Sequence, residues 1–193
     1  MSSNTEFLNA IREVGSPQTL SAGIQLFRQG DPIRDIYLLE KGIVKFIRIE
    51  TNGQEMITEL RAGGSLLGGA SVLANRTAQT IVVTLMPCEV YRISVRDFLH
   101  LEKTDENFSH ELLRYMSRHQ VEKNIRYGQL GLLSARARLE QLLMQFMDEL
   151  GGEWRGAVRV SLPISKQDIA ALLAITPQGL RACNKKRRET VTS

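Results

Sequence analysis

Cysteine is nearly absent. The 193 residues contain two, Cys88 and Cys183, far apart in the chain. Two distant thiols exclude a disulfide framework and fall short of the ligand count of a zinc or iron–sulfur centre, so both read as structural thiols. Histidine is also scarce: His100, His110 and His119 are the full set, and the first 99 residues have none. No Ser-His-Asp or Cys-His order suggests nucleophilic catalysis. Long apolar runs are missing, so no membrane span is expected. The opening Met-Ser-Ser-Asn-Thr-Glu-Phe-Leu lacks the basic start and apolar stretch of a signal peptide, which makes the cytoplasm the expected location.

Acidic surplus is lacking as well. The net charge is +4. From residue 181 onward, Arg181, Lys185, Lys186, Arg187 and Arg188 face Glu189 alone, so this tail carries the whole surplus. The rest of the chain is balanced, and its length is sufficient for one large or two small domains with a real core.

What is present is ordered. Residues 5–13 suggest a short helix packed at the edge of a β-rich region. Short β segments are predicted over Leu20–Phe27, Asp35–Leu39, Ile43–Glu50, Glu55–Leu60, Thr80–Leu85 and Glu89–Ile93. The breaks fall at Gly30-Asp31, Lys41-Gly42, Asn52-Gly53 and Gly63-Gly64, with Asn52-Gly53 the strongest hairpin signal because both residues tolerate positive φ. Ile43, Ile47 and Ile49 share one strand face; Val44 and Phe46 share the other with Arg48 and Glu50, so that face turns wet towards the hairpin. Many short strands at this spacing predict an antiparallel, jelly-roll-like β-roll, making the chain α+β. The strands offer no histidine set for a cupin-like metal site, so no metal, cofactor or enzyme activity is expected.

From residue 96 the period changes. A long helix is predicted over Asp105–Leu133, with Leu112, Leu113, Met116, Val121, Ile125, Tyr127 and Leu130 on its apolar side. Such a helix buries that side either on its own roll or on the same helix of a second copy; the second solution, a homodimer, is the economical one. A further helix, Ser134–Leu150, carries Leu139, Leu142, Leu143, Phe146, Met147 and Leu150, and stops at Gly151-Gly152. Trp154–Leu162 reads as a strand pair. These boundaries divide the chain into a β-roll (1–103), a dimerisation helix (104–133) and a C-terminal part (134–193).

Residues 164–183 read as a helix-turn-helix. Ile169, Ala170 and Leu173 form one apolar face, with Ala170 small enough for a close crossing. Ala174 and Ile175 make the turn. Thr176 caps the second helix, Pro177 takes its first position, and Leu180 and Cys183 face back onto the first helix. Gln178 is suited to adenine and Arg181 to guanine or phosphate. The run from Lys185 to Arg188 suits phosphates without reading sequence.

Roll, long helix and helix-turn-helix together resemble the Crp–Fnr family of bacterial transcription regulators. The residues that carry the resemblance are Gly30-Asp31-Pro32, Gly42-Ile43-Val44, Gly53, Gly64-Ser65-Leu66-Leu67-Gly68, Glu89-Val90, Asp97-Phe98, Ala135-Arg136-Ala137-Arg138-Leu139 and the run Leu162–Ala170. The resemblance implies a regulator whose roll binds an effector and whose paired helices pass the signal to a DNA-reading head. The partners it implies are DNA, a second copy of the chain and RNA polymerase.

The effector pocket departs from the cyclic-nucleotide version of the family. There a glutamate follows the turn glycine to take the ribose hydroxyl, and an arginine–serine pair neutralises the phosphate. Counting from Gly68, the glutamate position is Gly69. Counting back from Glu89-Val90, the pair falls on Ala78 and Gln79, with Arg76-Thr77 two positions early. The hydroxyl pair that reaches the base falls on Val121-Glu122. None of these supplies the usual contact, so cyclic AMP held in the usual way is not expected and the effector is left open. The cysteine cluster of the family's oxygen sensors is missing from residues 1–30, and the roll offers no histidine as an axial haem ligand.

The C-terminus also departs from the family. Its common arginine–glutamate…arginine reading set falls on Pro177, Gln178 and Ala182. Charged Lys186 and Arg187 stand where apolar positions are expected, and no wing follows. A reading-frame shift shortly after Leu180 accounts for both features, which makes the final wing the missing part of the helix-turn-helix domain. The alternative is a sensor and dimerisation module without specific DNA binding.

Overall fold

The computed structural model describes residues 3–149, 164–173 and 175–182, the side chains of residues 3–6, 130 and 145–149 apart. These fall into two compact units that meet within the long helix, the first ending at Glu122 and the second starting at Lys123. In the first unit α1 (Ser3–Val14) precedes eight strands: β1 (Ser16–Leu20), β2 (Gln25–Phe27), β3 (Asp35–Lys41), β4 (Ile43–Ile49), β5 (Glu55–Ala62), β6 (Ser65–Leu67), β7 (Ile81–Thr84) and β8 (Cys88–Ser94). A single turn of helix, α2 (Gly69–Leu73), lies between β6 and β7; α3 (Val95–Thr104) and the long α4 (Glu106–Leu132) come after β8. Two antiparallel sheets result, ordered β1-β8-β3-β6 and β2-β7-β4-β5. This is the expected roll.

Strand alternation builds the core in two layers. Along β3, Ile36 and Leu38 point outward into a cluster with Phe7, Ile11, Phe98, Phe108 and Tyr115 from the helices. Leu39, with Tyr37 partly buried beside it, points inward and meets Val44, Val82, Phe27 and Val90 between the sheets. β6 repeats the pattern with Leu66 outward and Leu67 inward. A strand covered on both faces needs an unbroken apolar run, which explains the sequence Ile-Tyr-Leu-Leu.

Several expectations need correction. The predicted strand Leu20–Phe27 is two strands, one in each sheet, divided by a turn at Ala22-Gly23 with Gly23 at φ +81°. β6 and α2 were not anticipated. The hairpin at Asn52-Gly53 forms, but Gly53 alone takes positive φ, inside a loop closed between Glu50 and Gln54. α1 is no edge element: Phe7 stacks at 5.1 Å on Phe108 and 5.5 Å from Tyr115, and Arg12 grips Glu40 of β3 with two hydrogen bonds of 2.8 and 2.9 Å. On β4, Ile43 and Val44 are both buried while Arg48 is exposed, so the strand does become wet towards its hairpin.

The apolar side of α4 proves to be two faces. Phe108, Leu112 and Tyr115 complete the outer core, with Met116 packed against it. Leu113, Val121, Ile125 and Tyr127 are more than half exposed. In the second unit, α5 (Ala135–Glu149) buries Leu139 and Leu142, and α6 (Lys166–Leu172) starts the helix pair. Trp154–Leu162 and the stop at Gly151-Gly152 lie outside the described residues, as do Ala174, Cys183, Lys185 and the rest of the C-terminus.

Candidate functional site

The glycine turn of the roll joins β6 to α2. Gly68 adopts φ +93° at the N-cap of α2, and a Cβ there would stand 2.9 Å from Cζ of Phe27. Gly69 is buried, and a Cβ on it would meet Leu66 Cδ2 at 2.8 Å and Met116 Cε at 3.5 Å. Apolar side chains thus hold the space where the nucleotide-binding glutamate stands in the resembled family. Ala78 is 4 % exposed in the inter-sheet core, and its backbone pairs with Gly30 and Asp31. The Gln79 side chain is exposed and donates to the Thr77 carbonyl at 2.9 Å. Arg76 and Thr77 are exposed, and Glu122 faces solvent on α4 beside His119, 3.3 Å away. Gly68 and Ala78 therefore border the inner core, Gly69 faces the outer one through Leu66 and Met116, and Gln79 and Glu122 are exposed. None of the five offers a phosphate clamp.

What joins this turn to the long helix was missed in the sequence. Tyr115 Oη accepts the Leu66 backbone N–H at 2.8 Å in a buried hydrogen bond. Arg61 donates to the Leu66 carbonyl at 3.1 Å, pairs with Glu59, and stacks 5.1 Å above the Phe46 ring. The backbone N–H and C=O of one β6 residue are thus held by a phenol on α4 and a guanidinium on β5. Burial raises the Tyr115 pKa above its ordinary value, so the phenol stays protonated. His119 stacks edge-on at 4.3 Å from the Tyr115 ring. The spacing of Phe108, Leu112 and Tyr115 marks one helical face, but the Leu66 contact is non-local. Tyr115→Phe leaves a buried N–H unpaired and is expected to lower stability by about 1–2 kcal/mol. Amide exchange checks this directly, since Leu66 exchanges faster in the variant if the bond is made.

The helix pair is capped as the sequence predicts. Thr176 Oγ1 accepts the Gly179 N–H at 3.1 Å, Leu180 N–H bonds to the Thr176 carbonyl, and Pro177 opens a helical turn over residues 177–182. Ser165 caps α6 through the Asp168 N–H at 3.0 Å, a Ser-x-x-Asp signal that apolar spacing alone does not bring out. Ala170, Leu172, Leu173 and Leu180 are buried, while Ile169 is only half-buried, so Leu172 takes the inward place expected of Ile169. Gln178 and Arg181 are exposed and stand three residues apart on the outer side of the second helix. Lys185 lies beyond the described residues. Among the described residues, no three His, Cys, Asp or Glu side chains converge as a metal site.

Residues 17–105 match the cyclic nucleotide-binding domain family. The electron transport regulator A of Shewanella oneidensis is 23% identical over 159 residues, covering 81% of this chain and 62% of that protein. The CRP-like cAMP-activated global transcriptional regulator of Mycobacterium tuberculosis is 26% identical over 161 residues, covering 81% and 70%. The c-di-GMP-responsive global regulator CLP of Xanthomonas campestris superposes with a TM-score of 0.77 at 18% identity, covering 95% of this chain and 91% of that one. The chain thus spans about two thirds of the length of these sequence relatives.

A two-sheet roll, a long helix braced on its glycine turn, and a capped helix pair are the parts this chain has in common with those transcription regulators. Residues 17–105 carry the cyclic nucleotide-binding domain, and the chain as a whole is similar to regulators of Crp–Fnr type.

Proposed function

We propose that this protein is a DNA-binding transcription regulator that answers to an effector in its roll and works as a homodimer in the cytoplasm. The observation that carries the reading is the helix pair: Thr176 and Ser165 fix both helix starts, and Gln178 and Arg181 are left outward on the second helix. In this reading Gln178 and Arg181 meet base edges, Thr176 and Lys185 meet phosphates, and RNA polymerase is the downstream partner. The proteins it resembles are named as regulators rather than enzymes. Among the described residues, no helix is long and apolar enough to cross a membrane. The uncharged surroundings of Gly69 and Ala78 argue that the effector is not held through the glutamate–arginine contacts of cyclic AMP.

The test is selection of binding sites from random DNA, followed by titrations across salt concentrations. The expected result is a palindromic site and a steep salt dependence. Gln178→Ala is expected to relax preference at one base position, worth about 1–3 kcal/mol of discrimination, with little change in the salt slope. Neutralising Lys185 and Lys186 is expected to weaken all DNA alike and flatten that slope. Weak binding indifferent to sequence would overturn the reading in favour of a sensor and dimerisation module.

A further inference from the structure

A cleft of about 360 Å³ opens on the roll beside β2 and the loop that leads into β3. Its apolar wall includes Phe27, Tyr37 and Ala78, with the two rings 5.7 Å apart and tilted. Its polar lining is Arg28, Arg34, Asp31 and Asp35. Asp35 is already neutralised by Arg92 at 2.8 Å. Arg28, Arg34 and Asp31 are exposed and make no side-chain ion pair or hydrogen bond among the described residues, and the same holds for the Tyr37 hydroxyl. The lining therefore carries one surplus positive charge and, in its two guanidiniums and one phenol, an excess of unengaged donors.

The rim is preformed. Gly30 N–H bonds to the Ala78 carbonyl at 2.8 Å, and Ala78 N–H to the Asp31 carbonyl at 2.9 Å. The Gln29 side chain pairs both ways with the Ile49 backbone at 2.9 Å, and Val95 N–H holds the Arg34 carbonyl at 3.0 Å. A loop tied at four points loses little freedom when a ligand arrives. Burial raises the Tyr37 pKa, which keeps its hydroxyl a donor.

We propose that this cleft binds a small organic acid: an apolar body against Phe27 and Tyr37, and a carboxylate or phosphate head between Arg28 and Arg34. The inference deepens the reading of an effector-responsive regulator by moving the ligand out of the filled inter-sheet space. The cleft volume is at the low end for small-molecule sites, which suits a compact metabolite. Ala78 forms part of both the cleft wall and the inner core, so a ligand there presses on the same core that contacts Gly68 through Phe27.

The test uses the full chain without DNA, so that it stands apart from the DNA-binding test. Benzoate and phenyl phosphate are titrated as probes, with benzyl alcohol as the neutral control, and amide shifts are followed by NMR. Expected are saturable shifts at residues 27–37 and 78 for at least one anion, the tighter of the two naming the head group. Replacing both Arg28 and Arg34 with alanine is expected to weaken that anion roughly tenfold or more. Both arginines are exposed, so the variant keeps its fold, which an unchanged unfolding midpoint verifies. Three results would overturn the proposal: no shifts at millimolar anion, shifts confined to inner residues such as Leu67 and Val82, or equal binding by benzyl alcohol or the double variant. Palindrome binding by the same preparation, alongside any of these, would refute the cleft and leave the regulator reading intact.

Discussion

Gly42→Ala is expected to destabilise the roll by about 2–6 kcal/mol, whereas Gly53→Ala costs about 1–3 kcal/mol. Both glycines sit in turns at positive φ, +105° and +80°. Their surroundings separate them. A Cβ on Gly42 would stand 2.5 Å from Cys88 Sγ, 2.9 Å from the Pro87 carbonyl oxygen and 3.0 Å from Cys88 Cα, whereas one on Gly53 meets nothing within 4 Å. Two of the three Gly42 neighbours are backbone, and the third is a buried thiol bonded to the Met86 carbonyl at 3.2 Å. The chain must therefore shift at the join of β3 and β4, where Leu39, Ile43 and Val44 are all essentially inaccessible to solvent. Backbone strain contributes about 1–3 kcal/mol at either site, and overpacking adds about 1–3 kcal/mol at Gly42 alone. Against a total stability of about 5–15 kcal/mol, the Gly42 loss is large. Urea unfolding of the two variants measures the difference; equal losses would mean that the approach of β8 to this turn is not what requires glycine.

The contrast also shows what kind of information the sequence carries. Glycine at Lys41-Gly42 and Asn52-Gly53 marks two turns correctly, because positive φ is a local property. Which of them is crowded depends on Cys88, more than forty positions away, and no periodicity reports that. The same division runs through the fold. β3, β4, β5 and β8 were legible from β-branched and apolar runs. β1 and β2 were fused because Ser21-Ala22-Gly23 is weak turn chemistry, and β6 was lost because three residues buried on both faces have no readable period. Local caps such as Thr176 could be read in advance. The hydrogen bond from Leu66 to Tyr115 could not, since it joins residues that only the roll brings together. At the glycine turn, counting from motifs located Gly68, Gly69 and Ala78, but it could not show that Phe27 crowds Gly68 from the inner core while Leu66 crowds Gly69 from the outer one.

Ile125→Glu is expected to convert a dimer into monomers and, with that, to abolish high-affinity binding to a palindrome. Val121, Ile125 and Leu132 are 57, 56 and 88 % exposed on α4. Together with Gly128 their spacing alternates four and three residues, the seam of a parallel coiled coil, and no atom stands within 4 Å of a Cβ built on Gly128. A stripe of this kind is stable in water when the same stripe of a second chain covers it. Burying Ile125 contributes about 1.5–3 kcal/mol per helix. The substitution removes that contribution twice and sets two carboxylates against each other in a desolvated seam. Dimer dissociation is then expected to rise by about three orders of magnitude or more. Because Ile125 is exposed in the single chain, the unfolding of the roll is expected to change little, which separates lost pairing from lost folding. Leu113→Glu is the control: Leu113 is 65 % exposed but sits about 100° round the helix from the seam, so its effect on association is expected to be small. Sedimentation of the two variants decides the matter. A dimeric Ile125→Glu protein would mean that the seam is not the interface, and a monomeric Leu113→Glu protein would move the interface to the other exposed face of α4.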